Sequence, residues 1–216
     1  MNMSSRTIPQ IATRLSFGLS VAFLALLTAL HVLEPEFNWG HLISEYQLGE
    51  YGFLMSLAFR LLGASARLVA LSLGRRSPTR GGRVGQRGLL VIGAAFFVAG
   101  VFPPVQTPVI IAYLHGISGL VVIFGSPITF TLIGRSLARS QTRYPLSHRL
   151  RLATLVAWGG LSLFLTSLIA IRLTDQVNIA WVSLANRFLI VTYCIWLMTA
   201  AEVLRLRTRF HLRATA

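Results

Sequence analysis

The chain has 216 residues, of which 54% are hydrophobic and 12% charged, too little charge to coat a soluble globule of this size. All 20 basic residues are arginine and they outnumber six acids, for a formal net charge of +14, while the mean hydropathy is +0.67. The single cysteine, Cys194, excludes a disulfide framework and any cysteine-only metal site.

Six apolar runs follow one another at residues 13–33, 51–73, 88–102, 109–134, 150–172 and 183–204. Most reach the roughly 20 residues that a helix needs to cross about 30 Å of hydrocarbon. Backbone polar groups find no water inside lipid, so helices are the expected spanning form. The expected fold class is therefore all-α: one domain of six transmembrane helices.

The first run follows Arg6 and Arg14 and has the basic start of a signal peptide. Its apolar stretch "LSFGLSVAFLALLTAL" continues to Leu33 without a small-x-small cleavage site, so it is expected to stay in the protein. The next connection, "NWGHLISEYQLGEYG" from Asn38 to Gly52, brings His41, Ser44, Glu45 and Glu50 close together. The second run then places Gly52, Ser56, Arg60, Gly63 and Arg67 on one helical stripe. A charge near the bilayer centre costs at least about 2.5–3.5 kcal/mol, so Arg60 is expected to face the bundle interior. Arg67 is placed to snorkel toward the cytoplasm.

"GRRSPTRGGRVGQR", Gly74 to Arg87, reads as a flexible loop before the third run. That run is closed by Pro103 and Pro104. The fourth carries the stripe His115, Ser118, Gly119, Val122, Ser126 and Thr129, with Gly116, Gly119 and Gly125 suited to close helix contact. Pro127 within it should kink the helix and free backbone carbonyls upstream. The sixth opens with Asn186 and Arg187 and continues through Tyr193 and Cys194. Arg60, His115 and Arg187 all start near the same membrane face and are expected to converge beneath the first connection, with Glu45 and Glu50 pairing the arginines.

Charge between the spans sets the orientation. Arg75, Arg76, Arg80, Arg83 and Arg87 fill the second connection, Arg135, Arg139, Arg143, Arg149 and Arg151 the fourth, and Arg205, Arg207, Arg209 and Arg213 the tail. Glu34, Glu36, Glu45 and Glu50 lie in the first connection and Asp175 in the fifth. Arginines near span ends stay in the cytoplasm, so both termini are expected inside a bacterial cytoplasmic membrane. There the arginines meet anionic headgroups, at about 1 kcal/mol per residue, and no nucleic-acid partner is expected. Trp39, Tyr46, Tyr51 and Trp181 read as anchors at the outer interface.

Sharper chemistries are less well supported. A hydrolase would use Ser44 with His41 or His115, but no G-x-S-x-G elbow is present. His41 and Glu45 stand at metal-ligand spacing, yet no segment supplies three ligands and no H-E-x-x-H occurs. His31 and His115 are the intramembrane candidates for haem ligation. No metal or cofactor is expected.

"HLISEYQLGEYGFLMSLAFRLLG", "GVFPP", "YLHGISGL" and "SLANRFLI" follow one another in an order that resembles the six-span prokaryotic family catalogued as domain of unknown function 998. The resemblance runs from about Leu24 to Leu204 and matches His41, Ser44, Gly52, Phe102, Pro103, His115, Gly116 and Arg187. It implies the fold and topology but no reaction. Where members often carry an acid after the phenylalanine-proline pair, this chain has Pro104 and Val105. The function expected is that of a non-enzymatic integral membrane protein. Its outward polar cluster of His41, Ser44, Glu45, Glu50, Arg60, His115 and Arg187 would bind a lipid headgroup, a small solute or a partner membrane subunit. The alternatives are an intramembrane hydrolase and an accessory subunit of a larger, cofactor-containing membrane complex.

Overall fold

The apolar runs fold as helices because only a helix pairs its own backbone polar groups along its whole length. The structure, a computed structural model, describes residues 4–73, 79–105, 107–139, 146–174 and 178–213. Arg75, Arg76, Arg143 and Asp175 lie outside the described residues, as do the side chains of Arg6, Arg207, Arg209 and Arg213. The helices are α1 (Ser4–Leu33), α2 (Gly52–Leu73), α3 (Arg80–Val101), α4 (Val109–Arg139), α5 (Leu146–Leu173) and α6 (Ile179–Arg213). Each contains a segment long and apolar enough to cross a bilayer, the arrangement of a multi-pass membrane protein. Short 3₁₀ turns at Pro35–Phe37 and Ile43–Leu48 fill the α1–α2 connection, and Gly40, at φ +87°, turns the chain between them.

Consecutive helices run antiparallel, and α6 returns to close the bundle against α1 and α2. One end of the bundle therefore carries the α1–α2, α3–α4 and α5–α6 connections. We refer to it as the loop end. The opposite, arginine-bearing end carries Arg80, Arg83, Arg139, Arg149 and Arg151.

Lipid is as apolar as leucine, so burial alone does not pull membrane helices together, and close fit and interhelical hydrogen bonds take over. Both are present. A Cβ on Gly63 would stand 2.6 Å from the Gly93 carbonyl oxygen, so α2 and α3 meet backbone to backbone. Ser65 on α2 shares its hydroxyl with Ser16 and Ser20 on α1, both at 2.8 Å. Phe130 stacks on Trp196 with ring centroids 3.9 Å apart, at the centre of a core that includes Phe23, Leu62, Leu89 and Leu189.

One expectation fails here. Residues 80–87 are the first two turns of α3 and not part of a flexible loop. Thr79 caps the helix, its hydroxyl accepting from the Gly82 amide at 3.0 Å. Gly85 and Gly88 let α3 lie against α4, since a Cβ at 85 would come within 2.8 Å of Ile133 and one at 88 within 2.6 Å of the Thr129 hydroxyl. Glycine's low helix propensity is outweighed by the packing that its small size permits.

Candidate functional site

Arg187 sits in the third turn of α6 at the loop end and is 7% exposed. Its position is buried because α6 is flanked by α1 and roofed by the α1–α2 connection. Nη1 donates to the His41 carbonyl at 2.9 Å and the Ser183 carbonyl at 3.1 Å, and it also contacts the Ser183 hydroxyl. Nη2 donates to the Phe37 carbonyl at 2.5 Å and reaches the Tyr46 hydroxyl at 3.4 Å. Nε donates to His31 Nε2 at 3.1 Å, and the guanidinium lies 5.4 Å above the Tyr46 ring.

The partners are fixed in turn. His31 Nδ1 lies 2.7 Å from the Leu27 carbonyl, which can only accept, so Nδ1 carries the proton and Nε2 is free to accept from Arg187. Tyr46 donates to Asn38 Oδ1 at 2.6 Å, and Asn38 Nδ2 donates to the His31 carbonyl at 2.9 Å. Asn186 Oδ1 accepts from the Ile43 amide at 2.9 Å, and the Ser183 hydroxyl donates to the His41 carbonyl at 2.5 Å. The whole first connection is tied to α6 through backbone carbonyls gathered on one guanidinium. Among the described residues no carboxylate pairs Arg187. Carbonyl dipoles neutralise it instead.

The expected convergence of Arg60, His115 and Arg187 is not what the structure brings together. Only Arg187 lies beneath the first connection. Arg60 and His115 serve the end of α3, where Pro103 and Pro104 lack the N–H groups that the Ala99 and Gly100 carbonyls would otherwise accept from. Gln47 Nε2 donates to the Ala99 carbonyl at 3.0 Å and Arg60 Nη2 to the Gly100 carbonyl at 3.1 Å. His115 Nδ1 binds the Phe102 carbonyl at 2.7 Å. The same logic holds at Pro127 in α4: the Ile123 carbonyl, four residues upstream, accepts from the Tyr193 hydroxyl at 2.6 Å. In lipid an unpaired carbonyl costs several kcal/mol, so each proline creates a place for one polar side chain.

Glu45 and Glu50 do not pair the arginines either. Glu45 accepts from His41 Nδ1 at 2.8 Å and from the Leu42 amide at 3.0 Å, and Glu50 is exposed. The buried acid is Glu34, 1% exposed, which accepts from the Tyr51 amide and lies against Gly49. Ser44 is half-buried, and no hydrogen bond among the described residues joins it to His41 or His115. His41 and Glu45 gain no third ligand, since no group of three His, Cys, Asp or Glu gathers among the described residues. His31, with both nitrogens committed, has no lone pair left for a haem iron.

Tyr46, read from the sequence as an interfacial anchor, is fully buried, because its hydroxyl and ring both serve the Arg187 network. Trp39 and Trp181 are 66% and 64% exposed, as interfacial anchors require. Asn38 and Ser183 were not singled out in the sequence, and Glu34 was read only as a charge of the first connection. The spacing of Ser183 to Arg187, four residues on one helix face, was the available signal.

A second arrangement lies along α2 and α3. Arg60 and Arg67 stand on the exposed side of α2, with their guanidinium carbons 6.0 and 5.8 Å from the centre of the Phe97 ring. Arg67 thus turns toward the middle of the span and does not snorkel to its end. Gly116 and Gly119 on α4 face open space, so the close contacts expected of them are not made among the described residues.

Residues 19–203 match the family described as "Protein of unknown function (DUF998)", and the chain belongs to that family. No curated protein and no solved structure matches.

Proposed function

We propose that this member of the DUF998 family is a non-enzymatic subunit of a membrane assembly, which docks a second membrane protein on its α2–α3 face. The carrying observation is the pair Arg60 and Arg67, which share the exposed Phe97 ring inside the span and have no carboxylate partner among the described residues. Each such charge facing hydrocarbon costs at least about 2.5–3.5 kcal/mol, which a partner helix bearing Asp or Glu would offset. A second copy of this chain does not fit. Its six acids are Glu34, Glu36, Glu45, Glu50, Asp175 and Glu202, and none lies near the middle of a span. The open faces of Gly116 and Gly119 give a neighbouring helix a second place to approach closely.

In this reading the Arg187 network holds the first connection rigid and is not itself a binding site. The exposed His41–Glu45 pair, Glu50 and Trp39 form the rim above it, and they support a second reading in which that rim takes a small polar solute or lipid headgroup. The excess of arginine at the end opposite the loops, with Arg172 as the exception, supports a reading in which both termini lie in the cytoplasm of a bacterial cell.

The test is the mass of the full chain extracted in native-lipid particles from its own host. The wild type is expected in a complex with a second membrane protein whose span contains an acid, and Arg60→Leu/Arg67→Leu is expected alone. A wild-type chain that is always alone, or a double variant that keeps its partner, would overturn the proposal.

A further inference from the structure

We infer that the cleft between α4 and α5, at the arginine-bearing end, is a binding site for an anionic phospholipid. The cleft measures about 550 Å³, and its lining includes Thr131, Arg135, Arg139, Arg151, Thr154 and Trp158. The three arginines come from two helices and stand at the rim, all of them exposed. Trp158 lies deeper, roughly 10 Å along α5 from Arg151 at about 1.5 Å per residue.

Rim and floor differ in what they still need. On the floor, the Thr131 hydroxyl donates to the Pro127 carbonyl at 2.8 Å and accepts from Trp158 Nε1 at 2.9 Å. Thr154 donates to the Leu150 carbonyl at 2.8 Å and accepts from Trp196 Nε1 at 2.9 Å. The floor is therefore satisfied and offers the Trp158 ring and Leu155 to an apolar occupant. At the rim no ion pair engages Arg135, Arg139 or Arg151 among the described residues. Residues 140–145, which join the two helices, contain no acid, and Glu202, the acid of α6 at this end, is already 2.7 Å from Arg205.

A charged mouth above an apolar floor fits a phosphate carrying acyl chains, and three guanidiniums in one mouth favour a lipid with net negative charge over a zwitterionic one. Inorganic phosphate would fill only the mouth. The site is independent of the docking face on α2 and α3.

The experiment is native mass spectrometry of the full chain in detergent, titrated with phosphatidylglycerol or phosphatidylcholine. Wild type is expected to hold phosphatidylglycerol at least about tenfold more tightly, and excess inorganic phosphate should not displace it. Arg135→Gln/Arg139→Gln/Arg151→Gln should lose the preference. Arg80→Gln/Arg83→Gln/Arg87→Gln, which removes the same charge from the same end outside the cleft, should keep it. No preference in wild type, displacement by phosphate, retention in the first variant or equal loss in the second would each overturn the assignment. The wild-type comparison decides alone if the first variant does not fold.

Discussion

Two arginine sites in the same bundle show opposite use of one side chain. Arg187 is buried and surrounded by acceptors: three backbone carbonyls, an imidazole nitrogen and two hydroxyls. Arg60 and Arg67 stand on the outside of α2 with one carbonyl and one phenylalanine ring between them. A guanidinium whose donors are all used contributes to folding and has nothing left for a ligand. One that keeps free donors in hydrocarbon is costly until something else arrives. The contrast separates the residue that builds this protein from the residues proposed to connect it to another.

Three substitutions sharpen that contrast. Arg187→Ala should be the most damaging, because the Phe37, His41 and Ser183 carbonyls and His31 Nε2 lose their donor together. A loss of at least about 3 kcal/mol is expected in detergent unfolding, and Arg187→Lys should not restore it because an ammonium cannot span the fork. Tyr193→Phe should cost about 1–3 kcal/mol by leaving the Ile123 carbonyl above Pro127 without its donor. Arg60→Leu/Arg67→Leu should be the mildest for the isolated chain, within about 1 kcal/mol, because the Gly100 carbonyl loses its donor while two charges leave the hydrocarbon, and it should remove the partner. Equal destabilisation by the double variant and by Arg187→Ala would erase the distinction.

The spans and the alternation of charge were legible in the sequence because hydropathy and arginine placement are properties of side chains. The carbonyl freed by Pro127 was legible for the same reason: proline announces its missing N–H. Its acceptance from Tyr193 was not, since that contact joins residues 70 apart in the chain. Arg187 was singled out from the sequence as a binding residue, but half of its partners are backbone oxygens, which no letter of the sequence marks. The first turns of α3 were misread because Gly81, Gly82, Gly85 and Gly88 resemble a linker until α4 is laid against them. Arg60, expected in the bundle interior, stands on the exposed side of α2, and the ProPro step, not a shared ligand, accounts for the carbonyls that Arg60 and His115 bind.

The most direct measurement is photocrosslinking from within the span, with a benzophenone side chain at Phe97 or, as a control of similar exposure, at Phe188. Phe97 is 46% exposed between the two arginines and Phe188 is 45% exposed on α6. The expected result is an adduct from position 97 with a membrane protein that carries an aspartate or glutamate within a span, and none from position 188. Lipid adducts alone from position 97, or the same protein adduct from both positions, would contradict it.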